Sequence, residues 1–293
     1  MPIARANGID IEYEVFGTPR DPALLLIMGL GAQMILWDEA FCAQLAGRGH
    51  YVIRFDNRDV GGSTKFDDRG MPNVLSAMTA VLSGGTVDAP YTLSDMAADS
   101  VGLLDALGID RAHVVGASMG GMIAQTVAIE HPARVRTLTS IMSTTGNRAL
   151  PPAKPEAMNV LLAPQPTDHA ESIERAVTVF RTIGSPGFPF DEVEVRELAS
   201  RSYDRGFNPN GVVRQLVAIL ASGSRVEALR RLSVPALVIH GSADPLVSLA
   251  GGRETAEAIR GAELLVIDGM GHDLPRPVWP RVIDAITALA ARA

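Results

Sequence analysis

Apolar and polar positions along the chain follow two rhythms, and the point where one gives way to the other divides it. Ile9 to Phe16 alternates in polarity and predicts a half-exposed strand. Ala23 to Met28, Tyr51 to Phe55 and Ala112 to Val115 are short apolar runs that suit buried strands. Val135 to Met142, Pro235 to His240 and Glu263 to Ile267 supply later ones. Between them, helical spacing predicts helices over Trp37 to Ala46, Thr92 to Leu107, Met119 to Glu130, Gly252 to Ile259 and Val278 to Ala291. Thr92 and Ser94 are N-cap candidates beside Asp95, where a carboxylate meets the positive end of a helix. Strands alternating with helices predict an α/β protein with a mainly parallel sheet.

The rhythm breaks at about Gly146. Pro151, Pro152, Pro155, Pro164 and Pro166 rule out one continuous element there. Three amphipathic helices are then expected, over Ala170 to Ile183, Asp191 to Asp204 and Gly211 to Ser222, before the strands resume at Val234. An all-helical insertion between strands of a parallel sheet is expected as a cap over their C-terminal ends, where such sheets bind ligands. The expected division is a core of residues 1–145 and 225–293 and a helical cap of residues 146–224. Met71 to Pro90 is a second irregular stretch expected near the pocket.

Composition narrows the function. A net charge of −7 without basic clusters argues against nucleic acid as a partner. No apolar stretch is long enough for membrane insertion, and the first eight residues lack a signal-peptide pattern. The single cysteine, Cys42, allows no intrachain disulfide, so the expected location is cytoplasmic.

The chemistry centres on Gly116-Ala117-Ser118-Met119-Gly120, between a predicted strand and a predicted helix. A serine between two glycines on such a corner is a nucleophile elbow. Its hydroxyl needs a base, and the base needs a carboxylate to set its tautomer. In this architecture the chain order is serine, acid, histidine. Of the six histidines, His50, His113, His131, His169, His240 and His272, only His272 lies beyond every plausible acid, in a glycine-rich loop after the last strand. Asp244 follows the Pro235 to His240 strand and is the expected acid. Asp268 is the competitor, but four residues before His272 it would have to double back. Asp273 is expected to order its own loop. The expected oxyanion donors are the backbone N–H groups of Met119, at a helix start, and Leu30, between Gly29 and Gly31 after a strand. His113 reads as a satisfied core residue, His131 as a helix-end residue, and His50 and His240 as strand-edge residues. No pair of histidines has metal-ligand spacing with a third ligand nearby, so no metal is expected. Asp56 to Ser63, dense in Asp and Arg, reads as a salt-bridged turn.

These motifs resemble the α/β-hydrolase superfamily over nearly the whole chain, and within it bacterial carboxylesterases of the lipase/esterase G type and aclacinomycin methylesterases. The resemblance rests on Leu26 to Gly31, Arg54 to Asp59 with Gly62 to Thr64, the elbow, Gly241 to Asp244 and Gly269 to His272. Where many members carry histidine before the oxyanion glycine, this chain has Met28. The resemblance implies an α/β-hydrolase fold with a mainly parallel eight-stranded sheet and a helical cap after strand 6. It also implies Ser118 as nucleophile, His272 as base and Asp244 as its partner. No cofactor is expected, and the expected reaction is hydrolysis of a small-molecule carboxylic ester. Hydrolysis of a carbon–carbon bond and cofactor-free perhydrolysis use the same residues. A non-catalytic binding protein of this fold is a third reading, though such proteins usually lose one of the three.

Overall fold

The computed structural model describes residues 1–293. Eight strands form one sheet: β1 (Ile3–Ala6), β2 (Ile9–Phe16), β3 (Ala23–Ile27), β4 (Tyr51–Phe55), β5 (Ala112–Ala117), β6 (Val135–Ile141), β7 (Ala236–Gly241) and β8 (Glu263–Ile267). Across the sheet they run β1-β2-β4-β3-β5-β6-β7-β8. The β1–β2 and β2–β4 pairs are antiparallel and every other pair is parallel. The helices are α1 (Glu39–Ala46), α2 (Val74–Leu82), α3 (Leu93–Ala106), α4 (Met119–Glu130), α5 (Pro155–Leu162), α6 (His169–Ile183), α7 (Glu192–Gly206), α8 (Pro209–Ser222), α9 (Val226–Leu229), α10 (Leu249–Ala258) and α11 (Trp279–Ala290).

Strand periodicity explains why β3 reads as an unbroken apolar run. Neighbouring side chains on β3 point to opposite faces, and both faces are covered. Leu25 and Ile27 pack with Leu93, Leu104, Met122 and Ile123 of α3 and α4. Leu24 and Leu26 pack with Phe41 and Leu45 of α1 and Val282 and Ile286 of α11. The site therefore stands on a sheet held rigidly between two helical layers.

Three elements depart from the sequence expectations. β1 pairs with β2 through the Asn7-Gly8 turn, whose φ values of 48° and 78° are those a two-residue hairpin demands. Within the stretch expected to be irregular, Val74–Leu82 is helical, capped by the Asn73 side chain, which accepts from Ser76 N–H at 2.9 Å. In the inserted segment, α5 begins at Pro155, where the missing N–H costs nothing at the first helical position. The inserted helices thus number one more than expected before β7 approaches, with the short α9 following them.

The insertion is tied to the core by buried charge. On α8, Arg214 donates to Asp59 through two bonds of 2.7 and 2.9 Å, and to Asp67 at 2.9 Å. Tyr91 adds a hydrogen bond to Asp59 at 2.6 Å. On α7, Arg205 pairs with Asp56 at 2.7 Å and with Glu12. The Asp56 to Ser63 turn is salt-bridged, as expected, but its partners come from distant elements, including Asp99 of α3 bound by Arg58. Burial alone would raise the Asp59 carboxyl. Hydrogen bonds from Arg214, Phe66 N–H and Tyr91, with the Arg214 charge, outweigh it and hold the group below the usual carboxylate range. This stabilisation is present above the unfolded-state value of 3.8 and is lost as pH falls through the lower folded-state value. Arg214→Met leaves the buried Asp59 charge without its main partner. Urea unfolding at neutral pH should show a loss of about 3–5 kcal/mol. A loss of only a few tenths would mean that the pair does not anchor the insertion.

Candidate active site

The strand β5 ends at Ala117 and α4 begins at Met119, which leaves Ser118 alone on the corner. Its φ of 55° and ψ of −119° are strained for a residue with a side chain, a cost of about 1–3 kcal/mol. Neighbouring contacts hold it there. Ser118 N–H donates to Ile141 O at 2.9 Å, and Ser118 O accepts from Ser143 Oγ at 2.8 Å. A methyl at Gly116 would strike the Gly120 carbonyl, and one at Gly120 would strike the Ile27 carbonyl. Both elbow glycines are therefore packing requirements of the corner.

The structure brings Asp244 and His272 to this serine. His272 Nε2 lies 2.9 Å from Ser118 Oγ, and His272 Nδ1 lies 2.7 Å from Asp244 Oδ2. The other carboxylate oxygen of Asp244 accepts the N–H groups of Leu246 and Val247, each at 2.9 Å. With a carboxylate facing Nδ1, the proton sits on Nδ1, and the Nε2 lone pair is free to accept the serine proton. Asp268 is engaged elsewhere, accepting from Ser242 Oγ at 2.8 Å.

The loop carrying His272 is bound by the link between α6 and α7. His272 N–H donates to Ile183 O at 2.7 Å, Gly187 N–H donates to Gly269 O at 2.9 Å, and Gly271 N–H donates to Ser185 Oγ at 2.8 Å. The Ser185 hydroxyl in turn donates to Asp273. Burial holds the Asp273 carboxyl above the usual carboxylate range, against the lowering by Ser185 and His272.

Of the two expected oxyanion donors, Met119 N–H opens α4 and has no acceptor within the helix. Leu30 N–H donates to no protein group, whereas its neighbour Gly31 N–H donates to Gln215 Oε1 at 2.8 Å. Gly29 lies against the serine: a Cβ there would sit 3.2 Å from Ser118 Cβ and 3.7 Å from Ser118 Oγ. Asn57 Nδ2 donates to Met28 O at 2.9 Å and holds the start of the same loop.

His240 corrects one expectation. It is fully buried inside β7 rather than at a strand edge. Its Nε2 lies 2.8 Å from Val247 O and 3.6 Å from Asp244 Oδ2. Burial lowers its pKa, against the raising by Val247 O and the Asp244 charge. His50 is likewise buried. His113 is a hydrogen-bonded core residue, 3.0 Å from Thr137 Oγ1, with its pKa lowered by burial to about 4. Cys42 is buried, and its thiol is pushed up to about 12, which suits a packing residue. No cluster of three or more His, Cys, Asp or Glu side chains could hold a metal ion, and no helix is long and apolar enough to cross a membrane.

A family model for the alpha/beta hydrolase fold matches residues 22–275. The chain belongs to the α/β-hydrolase family. This hydrolase is 31% identical over 304 residues to rhodomycin D methylesterase DauP of Streptomyces sp. (strain C5), with 96% of this chain and 95% of that protein covered. It is 27% identical over 263 residues to 3-oxoadipate enol-lactonase 2 of Acinetobacter baylyi, covering 90% of this chain and 86% of that one. Among solved structures, the esterase RhEst1 of Rhodococcus sp. ECU1013 superposes with a TM-score of 0.76 at 20% identity, over 99% of this chain and 98% of that one. The last likeness is one of fold.

Proposed function

We propose that this hydrolase is a serine carboxylesterase for small to medium carboxylic esters, with Ser118 as nucleophile, His272 as base and Asp244 as its partner. The observation that carries the reading is the unbroken line of hydrogen bonds from Ser118 Oγ through His272 to Asp244, 2.9 and 2.7 Å long. Two relatives named above, a methylesterase and an enol-lactonase, open ester bonds by their names, which supports the same bond type here.

The chemistry follows from the geometry. His272 Nε2 takes the Ser118 proton as Oγ attacks the ester carbonyl. Negative charge moves onto the carbonyl oxygen, where the N–H groups of Met119 and Leu30 receive it. Such donors are each worth about 3 kcal/mol in the transition state. When the C–O bond breaks, His272 gives its proton to the departing alcohol, leaving an ester on Ser118. Water then attacks the acyl carbon as His272 takes its proton, and the acid leaves as Ser118 recovers its hydrogen. Asp244 stays ionised and steadies the imidazolium in both halves.

In this reading residues 146–224 form a cap over a core of residues 1–145 and 225–293. Met158, Leu161, Val179 and Phe180 of α5 and α6 are half-buried, and the more exposed Leu162 adjoins them, which favours a partly apolar substrate. A p-nitrophenyl ester and a vinylogous diketone, assayed side by side, test the bond type. The ester should turn over and the diketone should not. Cleavage of the diketone alone would replace esterase with carbon–carbon hydrolase.

A further inference from the structure

The loop of residues 28–31 contains two glycines, Gly29 and Gly31, and Gly31 adopts a φ of +66°. Glycines leave such a loop free to turn its peptide planes. A donor that must be aimed before the reaction needs that freedom removed. One side chain does this from 184 residues away in sequence: Gln215 of α8, fully buried, accepts from Gly31 N–H at 2.8 Å. Its amide Nε2 donates to Arg58 O at 2.7 Å. The two contacts admit only one orientation of the amide, because reversing it would face NH₂ to N–H and oxygen to oxygen.

Both ends of this brace are anchored. Arg58 is fixed on Asp99 by bonds of 2.6 and 2.7 Å, and the residue before Gln215, Arg214, is fixed on Asp59. Helix α8 also packs directly on the loop, since a Cβ at Gly31 would come within 2.9 Å of Val212 Cγ2.

We propose that Gln215 is a positioning residue for the oxyanion donor: by holding Gly31 N–H it fixes the peptide that follows Leu30 and aims the Leu30 N–H at the developing charge. This rests on the esterase reading above and adds to it that the inserted helices complete the catalytic apparatus. The consequence falls on the transition state, so the effect should appear in kcat and leave KM unchanged.

The test compares Gln215→Leu, Gln215→Glu and Ser222→Ala with the wild type on a p-nitrophenyl ester and a trifluoromethyl ketone inhibitor. Ser222 lies on the same helix and bonds Leu93 N–H at 3.0 Å, so its loss costs stability at no part of the site. Gln215→Leu should lower kcat about 10- to 100-fold, the scale of a misplaced group, with KM unchanged and the ketone bound correspondingly less tightly. Burial favours the protonated acid in Gln215→Glu, which keeps an acceptor for Gly31 N–H and an O–H donor for Arg58 O, so it should recover most of kcat. Should Gln215→Leu not fold, Gln215→Met, unbranched and equally without an acceptor for Gly31 N–H, is read in its place with the same loss expected. Ser222→Ala should lower the melting temperature with kcat unchanged. Wild-type kcat in Gln215→Leu, or an equal loss in the Leu and Glu variants, overturns the inference. A wild-type protein inactive on the ester would instead overturn the esterase reading itself.

Discussion

Replacing Ser118 with alanine should lower ester turnover by about 10⁶-fold, the loss found when the nucleophile of such a unit is removed. The size follows from what is lost. Only Ser118 Oγ stands within reach of His272 Nε2, at 2.9 Å, and without it the covalent half-reaction has no nucleophile. A residue of about 10³–10⁴ over water should persist, because backbone donors at Met119 and Leu30 are untouched. The alanine variant should fold, since the Ser118 main chain is held by its N–H donating to Ile141 O and its carbonyl accepting from Ser143 Oγ, neither of which needs a hydroxyl at position 118. Ser118→Gly should be equally inactive and more stable than the wild type, since glycine relieves the strain at a φ of 55°. Urea unfolding checks this. Retained turnover in the alanine variant would mean that another group attacks the ester.

Asp244→Asn should cut kcat by up to about 10⁴-fold with the fold intact. Hydrogen-bond polarity sets the outcome. Asp244 Oδ1 receives two N–H groups, from Leu246 and Val247. In an asparagine the amide oxygen must take that place, since the NH₂ group cannot accept from them. The NH₂ then faces His272 Nδ1 and forces the imidazole into the other tautomer, with its proton on Nε2 facing Ser118. A base already carrying its proton cannot take another from the serine. Asp268→Asn provides the contrast. Asp268 accepts from Ser242 and does not touch His272, so its variant should turn over like the wild type. The reverse pattern would show that Asp268 is the working acid.

The parts of this protein that were legible in its sequence are those specified locally. β3, β4, β5 and β7 are covered on both faces and so read as largely apolar runs, and the elbow carries its own glycines. The order of Ser118, Asp244 and His272 left a single histidine to consider, and the structure brings the three within hydrogen-bond reach. β1 was missed because four residues give too short an alternation, although Asn7-Gly8 was an available hairpin signal. α2 was missed because Met, Ser and Gly around Val74–Leu82 look like loop composition, and its stability comes from packing as well as from the Asn73 cap. Other residues of the site were illegible for another reason. Ser143, Asn57, His240 and Gln215 act through partners that the fold supplies, and no spacing in the chain announces a bond between Gly31 and Gln215. The Asp56 to Ser63 turn shows both cases: its charges predicted ion pairing, but Arg205, Arg214 and Asp99 could be named only once the helices were in place.

The central claim is that Ser118 is an activated nucleophile. Intact-protein mass spectrometry after exposure to a fluorophosphonate, followed by peptide mapping, tests it most directly, because the reagent needs the serine, its base and the oxyanion donors together but no knowledge of the natural ester. A single adduct is expected, on Ser118, absent from Ser118→Ala and much slower to form in Asp244→Asn. An unlabelled wild-type protein, or an adduct on any other residue, would contradict it.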